Sequence, residues 1–202
     1  MSLQPQLFHM ALRKKDVVYT PDFMAKEIVE LFNPSGSILE PCAGDGAFLR
    51  YLPTAEWCEI EQGKDFFQWH KKVNWIIGNP PYSIFNIWLR HSFTLADDIV
   101  YLIPLNKIFN DFGMLKDIYS YGGIVQVYAI GRGEKVNFPM GYAVGAVHFR
   151  RNWSGGLQVV FRDTLPNNRL HSDVGDSADL QAVSNASAVS KSQALSAPAP
   201  RR

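Results

Sequence analysis

The chain has 202 residues, 47% of them apolar and 19% charged, with a formal net charge of +1. This allows one domain of ordinary size plus a tail, and it excludes a strongly basic or acidic chain, so any nucleic-acid contact has to come from a local patch. No run of about 18 apolar residues occurs and residues 1–15 lack a signal-type apolar stretch, which predicts a cytoplasmic protein with no membrane attachment.

Residues 1–15 show no clear period and read as a flexible lead-in. Thr20-Pro21 opens a helix, with Thr20 as its N-cap and Pro21 at its first position. Met24, Ile28, Leu31 and Phe32 continue it at helical spacing, and Asn33-Pro34-Ser35-Gly36 stops it. Residues 37–40 form a short strand that runs into the loop Pro41 to Gly46, and residues 47–52 read as the following helix. A second strand spans 56–60. A third, apolar strand spans 73–77 and is closed by Gly78-Asn79-Pro80-Pro81. Residues 84–95 are helical, 98–103 form a buried-type strand ended by Pro104, and 109–121 form a helix closed by Gly122-Gly123. Three late strands follow at 124–130, 143–150 and 157–161. The last two flank Asn152-Trp153-Ser154-Gly155-Gly156, a hairpin-type connection. Residues 166–202 are rich in Ser and Ala and bury too little to offset their ordering entropy, which predicts a disordered tail. Within it, 178–195 could form a transient helix.

Strands alternating with helices predict an α/β domain over residues 16–165. Its sheet is mostly parallel, covered by helices on both faces, with an antiparallel edge hairpin. In such a sheet the ligand crevice lies at the carboxyl ends of the strands. Cys42 and Cys58 belong to no CxxC pair and read as small buried hydrophobes. The five histidines (His9, His70, His91, His148 and His171) lack metal-ligand spacing, so no metal is expected.

Two segments at strand ends carry chemistry. Glu40-Pro41-Cys42-Ala43-Gly44-Asp45-Gly46 lies between a strand and a helix, and its glycines let a ligand approach bare backbone. Alone, this turn also fits a tight strand–helix connection with no ligand. It lacks the third glycine of the dinucleotide fingerprint. Asn79-Pro80-Pro81-Tyr82 follows the third strand. Pro-Pro could merely end the strand. Asn before it and an aromatic after it are what amine methylation requires. An exocyclic amine on adenine is a poor nucleophile because its lone pair is delocalised. Two acceptors on its hydrogens, the Asn79 side-chain oxygen and the Pro80 carbonyl, favour the tetrahedral, more reactive geometry. Tyr82 offers a face on which an extruded base stacks.

With these residues in view, the chain resembles the Rossmann-like S-adenosyl-L-methionine-dependent amino-methyltransferases, specifically the DNA N6-adenine methyltransferases. Val18-Tyr19-Thr20-Pro21 resembles the upstream cofactor motif, Glu40 to Gly46 the cofactor loop, and Asn79 to Tyr82 the catalytic motif, in the order of the gamma group. The resemblance covers about residues 17–150. It implies that Tyr19, Thr20 and Pro21 touch the methionine end of the cofactor, and that Glu40, Pro41 and Gly44 line the same part. Gly46 would allow close approach, Glu59 would accept from the ribose hydroxyls and Ile60 would pack on the cofactor adenine. Asp65 would accept from the cofactor amino group, with Phe66 against its ring. Asn79, Pro80, Pro81 and Tyr82 would hold a flipped adenine of DNA.

Glu59 and Glu61 also read as solvated strand-end charges, and Asp65-Phe66 as an ordinary loop. Only Gln62-Gly63-Lys64 separate Glu61 from Asp65, which is too short for a parallel crossover, so the helix and strand expected there are missing. Between two late strands, residues 131–142 could cover the target base. Phe138 would then be a second stacking wall, with Arg132, Lys135, Lys107 and Arg90 as phosphate contacts; a plain surface loop fits as well. The family commonly carries a separate target-recognition domain, and the short tail after the core predicts none here, so either these loops read a short sequence, or specificity is low or supplied by a partner protein.

Overall fold

Four-residue and longer apolar runs set the middle of the sheet. The computed structural model describes residues 18–136, 138 and 141–162. All of these lie in the first of two units, residues 1–164 and 165–202. The lead-in at 1–15, the tail at 166–202 and the helix considered at 178–195 lie outside the described residues.

The strands are β1 (Ile38–Glu40), β2 (Glu56–Trp57), β3 (Val73–Gly78), β4 (Ala96–Pro104), β5 (Gly122–Arg132), β6 (Ala143–Arg151) and β7 (Gln158–Phe161). The helices are α1 (Asp22–Phe32), α2 (Phe85–Leu95), α3 (Asn106–Phe109) and α4 (Phe112–Tyr121). Among the described residues the strands form one sheet in the order β2-β1-β3-β4-β6-β5-β7. The pairs β1/β2, β1/β3, β3/β4 and β5/β7 are parallel, while β6 runs antiparallel to both β4 and β5.

Ile76, Ile77, Ile99, Val100, Tyr101, Leu102 and Ile103 are fully buried, the continuous burial expected of a central strand covered on both faces. Met24, Ala25, Ile28 and Phe32 are the buried residues of α1, and Phe85, Trp88, Leu89, Ser92 and Leu95 those of α2. The hydroxyls of Ser92 and Tyr101 share a 2.7 Å hydrogen bond within this packing, so the buried Tyr101 keeps a polar partner. No helix among the described residues is long and apolar enough to cross a membrane.

Several expected boundaries are corrected. The first helix begins one residue later, with Pro21 as N-cap and no side-chain cap hydrogen bond; the Thr20 hydroxyl is used elsewhere, as described below. Residues 47–52 form a run of turns instead of a helix, held by bonds such as Arg50 N to Gly46 O at 3.2 Å and Leu52 N to Phe48 O at 3.1 Å. The helix expected at 109–121 starts at Phe112, as α4, because the Asp111 side chain accepts from Met114 N and caps it there; Phe109 ends the separate α3. The antiparallel hairpin lies one connection earlier than its glycine-rich signal suggested. β6 pairs with β5 and β4, and β7 crosses over to lie parallel on the far side of β5.

Candidate active site

The parallel register sets Leu39 opposite Ile76 and Gly78 opposite Tyr101. The segments leaving β1 and β3 therefore emerge side by side at the carboxyl edge of the sheet, in the crevice where open α/β sheets hold ligands. Gly78 is the contact point. A Cβ there would stand 3.2 Å from Pro41 Cδ and 3.5 Å from Cys42 Sγ, so the absent side chain is what lets the Pro41–Cys42 backbone close on the start of the Asn79 loop. Sequence reasoning read Gly78 only as a strand stop. The Cys42 thiol, half-buried, donates to the Asn79 carbonyl at 3.1 Å and so locks the two loops together. Burial, reinforced by the Glu40 carboxyl, pushes the Cys42 thiol well above its ordinary range, which keeps it a donor.

Asn79 is held from two sides. Its Nδ2 donates to the Val18 carbonyl at 2.9 Å and to Thr20 Oγ1 at 3.1 Å, and its Oδ1 accepts from the Tyr82 hydroxyl at 2.6 Å. Tyr82 begins a short 3-10 turn, Tyr82–Ile84, which leads into α2. The expectation that Tyr82 presents an open face is corrected: the residue is 5% exposed. The buried Phe138 lies across from it, with ring centroids 6.4 Å apart and tilted by 48°.

Beside this loop lies a second set of groups. Gly44 (φ 52°) and Gly46 (φ 80°) adopt the left-handed region that favours glycine. The Gly44 N–H donates to Glu59 Oε2 at 2.7 Å, and Glu59 Oε1 accepts from Glu61 N at 3.2 Å, so the acid at the end of β2 sits against the glycine loop. The exposed Tyr19 ring passes above Gly44, 3.8 Å from where its Cβ would be. Glu40 is 1% exposed, and its Oε2 is buried with no hydrogen-bond partner. Burial first, then repulsion from Asp45 and Glu59, pushes its carboxyl up to about 9. Such an orphaned acceptor fits a cationic donor from a ligand.

The remaining expected residues divide. Ile60 lies in the 3-10 turn Ile60–Gln62, half-buried. The missing crossover is replaced by a tight turn in which Glu59 bridges to Lys64. Asp65 follows directly, its Oδ1 accepting from Phe67 N at 2.9 Å. Phe66 is corrected. It is 2% exposed, with its ring 4.5 Å from Trp88 and 4.8 Å from His91, so it packs under α2 and offers no face to a ligand. Arg90 is half-exposed at its side chain and its Nε pairs with Asp117 at 2.6 Å. Lys107 is half-buried on α3, and Arg132 and Lys135 are exposed around the end of β5.

No protein-family model matches the chain, and no curated protein matches its sequence. Solved structures do match in fold. A type I restriction-modification methyltransferase subunit from Streptococcus thermophilus aligns with TM-score 0.54 and 12% identity, over 91% of this chain and 55% of that one. A protein of Listeria monocytogenes assigned as a class I S-adenosylmethionine-dependent methyltransferase gives 0.55 and 12%, over 79% and 71%. One of Pyrococcus horikoshii assigned as an RNA methyltransferase gives 0.53 and 14%, over 77% and 100%. The chain spans about half the length of the type I subunits it matches, from 44% to 56%. These likenesses establish the architecture: the chain has the Rossmann-like sheet of the S-adenosylmethionine-dependent methyltransferases.

Proposed function

We propose that the chain transfers a methyl group from S-adenosylmethionine to the N6 amine of adenine in DNA. The observation that carries this reading is the fixed amide of Asn79, with Oδ1 turned toward Tyr82 and the glycine loop of Gly44 in the neighbouring crevice. The residues present fit the cofactor. The Glu40 carboxyl, with Oε2 unpaired, would receive the ammonium of its methionine part on giving up its proton, Gly44 and Gly46 supply bare backbone, and Glu59 lies against that loop. When bound, S-adenosylmethionine supplies an electrophilic methyl group on a sulfonium sulfur.

The chain's own residues prepare the amine. Asn79 Oδ1 keeps a second lone pair beyond the one used by Tyr82, and with the Pro80 carbonyl it can accept both amine hydrogens. This opposes delocalisation of the lone pair into the ring and aims it at the crevice. A flipped base would have to part the buried Tyr82 and Phe138 rings to stack between them, and Arg132, Lys135 and Lys107 would be its phosphate contacts. A protein partner would supply sequence choice, which is consistent with the match to part of a type I modification subunit. Methylation of an RNA adenine or of a protein glutamine amide uses the same acceptors, and the fold match to a protein assigned as an RNA methyltransferase keeps it as a second reading.

The test is transfer from labelled cofactor to DNA, RNA and protein in parallel, with products identified by mass. N6-methyladenine in DNA is the expected product, and Asn79→Ala is expected to lower the rate at least about 100-fold. Label only in RNA or protein would overturn the DNA assignment.

A further inference from the structure

We propose that Thr20 is a positioning residue for the Asn79 amide, acting through Asn79 and not on the cofactor; this rests on the reading above. An asparagine amide in a catalytic loop can sit in two orientations that exchange oxygen for nitrogen, and only one offers an acceptor to an amine. In this chain the choice is forced. Nδ2 faces the Val18 carbonyl at 2.9 Å and Thr20 Oγ1 at 3.1 Å. A carbonyl can only accept, so a flipped amide would set Oδ1 against the Val18 oxygen. On the opposite side the Tyr82 hydroxyl donates to Oδ1 at 2.6 Å; this hydroxyl and that of Thr20 can each donate or accept, so the Val18 carbonyl decides which amide atom is which and Thr20 holds the amide in that place.

The arrangement spends both Nδ2 hydrogens on the segment before α1. It also explains why Thr20 caps no helix although its position invites it: α1 has no side-chain cap, and Thr20 is 8% exposed and turned to Asn79. The Cys42 thiol holds the Asn79 carbonyl at 3.1 Å, so side chain and main chain of this one residue are fixed by two segments distant in sequence. Thr20 supplies the replaceable half of the amide's seat, the Val18 carbonyl being main chain.

The experiment uses the full chain with labelled S-adenosylmethionine and genomic DNA from a host lacking adenine methylation. Thr20→Val and Thr20→Ala remove the acceptor; Thr20→Ser keeps it. The expected result is a kcat about tenfold lower in the first two, near wild type in Thr20→Ser, with the cofactor Kd from calorimetry within about twofold throughout. A kcat unchanged in Thr20→Val, or a loss that appears only as a weaker cofactor Kd, overturns the proposal. If the acceptor-free variants do not fold, a crystal structure of the wild-type chain with cofactor decides. Thr20 Oγ1 on Asn79 Nδ2 supports the role, and Thr20 Oγ1 on the cofactor carboxylate ends it. A wild type that methylates nothing refutes the DNA reading instead, and the crystal structure still decides the contact.

Discussion

At the scale of single residues, Glu40 is the group whose state depends most on its surroundings. Its carboxyl is buried, short of one hydrogen bond and raised to about 9, whereas an unfolded glutamate ionises near 4.3. The folded chain therefore holds a proton that the unfolded chain has released. The associated stability is complete below the unfolded value and is lost as pH rises through 9, at no more than about 1.4 kcal/mol per pH unit. Denaturant unfolding between pH 5 and 9 should show wild type losing ground steadily against Glu40→Gln; two parallel profiles would mean that Glu40 is ionised throughout. Glu40, Gly44, Glu59 and Asn79 to Tyr82 were legible because strand-end position and residue type suffice to place them. The bonds from Asn79 to Val18 and Thr20 were not, since they join segments about sixty positions apart. Phe66 was misread because a 3-10 turn has no period from which to tell which of Phe66 and Phe67 points inward.

At the scale of elements, α1 is fastened to the far side of the sheet by one acid. Glu27 accepts from the Tyr128 hydroxyl of β5 at 2.9 Å and from Arg162 Nη2, just past β7, at 2.8 Å. Tyr128 is fully buried, and both charged partners are about three-quarters buried at the side chain. Removing the acid would leave a buried hydroxyl and a largely buried guanidinium without their acceptor. Glu27→Ala is expected to cost about 2 kcal/mol in urea unfolding. Arg162→Ala should cost less, with a coupling near 1 kcal/mol in the double-mutant cycle; additive losses would show the pair to be idle. Pairings of this kind also explain the misplaced hairpin. A turn signal reports that the chain reverses, whereas which strand lies beside which is settled by the burial of Tyr128, Val147 and their neighbours on β5 and β6.

At the scale of the whole sheet, the candidate site and a second polar anchor occupy opposite ends of the strands. At the amino end of β4, Asp98 accepts from His148 Nε2 and Arg150 Nε, both at 2.6 Å, and the His148 ring lies between Trp75 and Phe32. Burial by itself would raise the Asp98 carboxyl, but the bonds from His148 and Arg150 outweigh it and hold it below its ordinary range. Its contribution is thus present above the unfolded value near 3.9 and disappears as pH falls through the lowered one. Wild type should exceed Asp98→Asn in unfolding free energy at pH 6 and meet it in strong acid; a gap that persists there would assign the loss to packing. The overall class was readable from alternating strands and helices, because a sheet covered on both faces demands that pattern. The order of its strands was not, because β6 inserts between β4 and β5.

The contact between Tyr82 and Phe138 has a thermodynamic corollary. Two parallel rings embracing a third need about 7 Å, twice the contact distance of aromatic carbons, and these stand 6.4 Å apart at a 48° tilt. A planar guest must therefore displace an existing partnership before it gains its own, and its net affinity is the difference between the two. Most of any discrimination would then fall on guests that also replace the hydroxyl at Asn79 Oδ1, so that polarity, more than flatness, decides what is admitted.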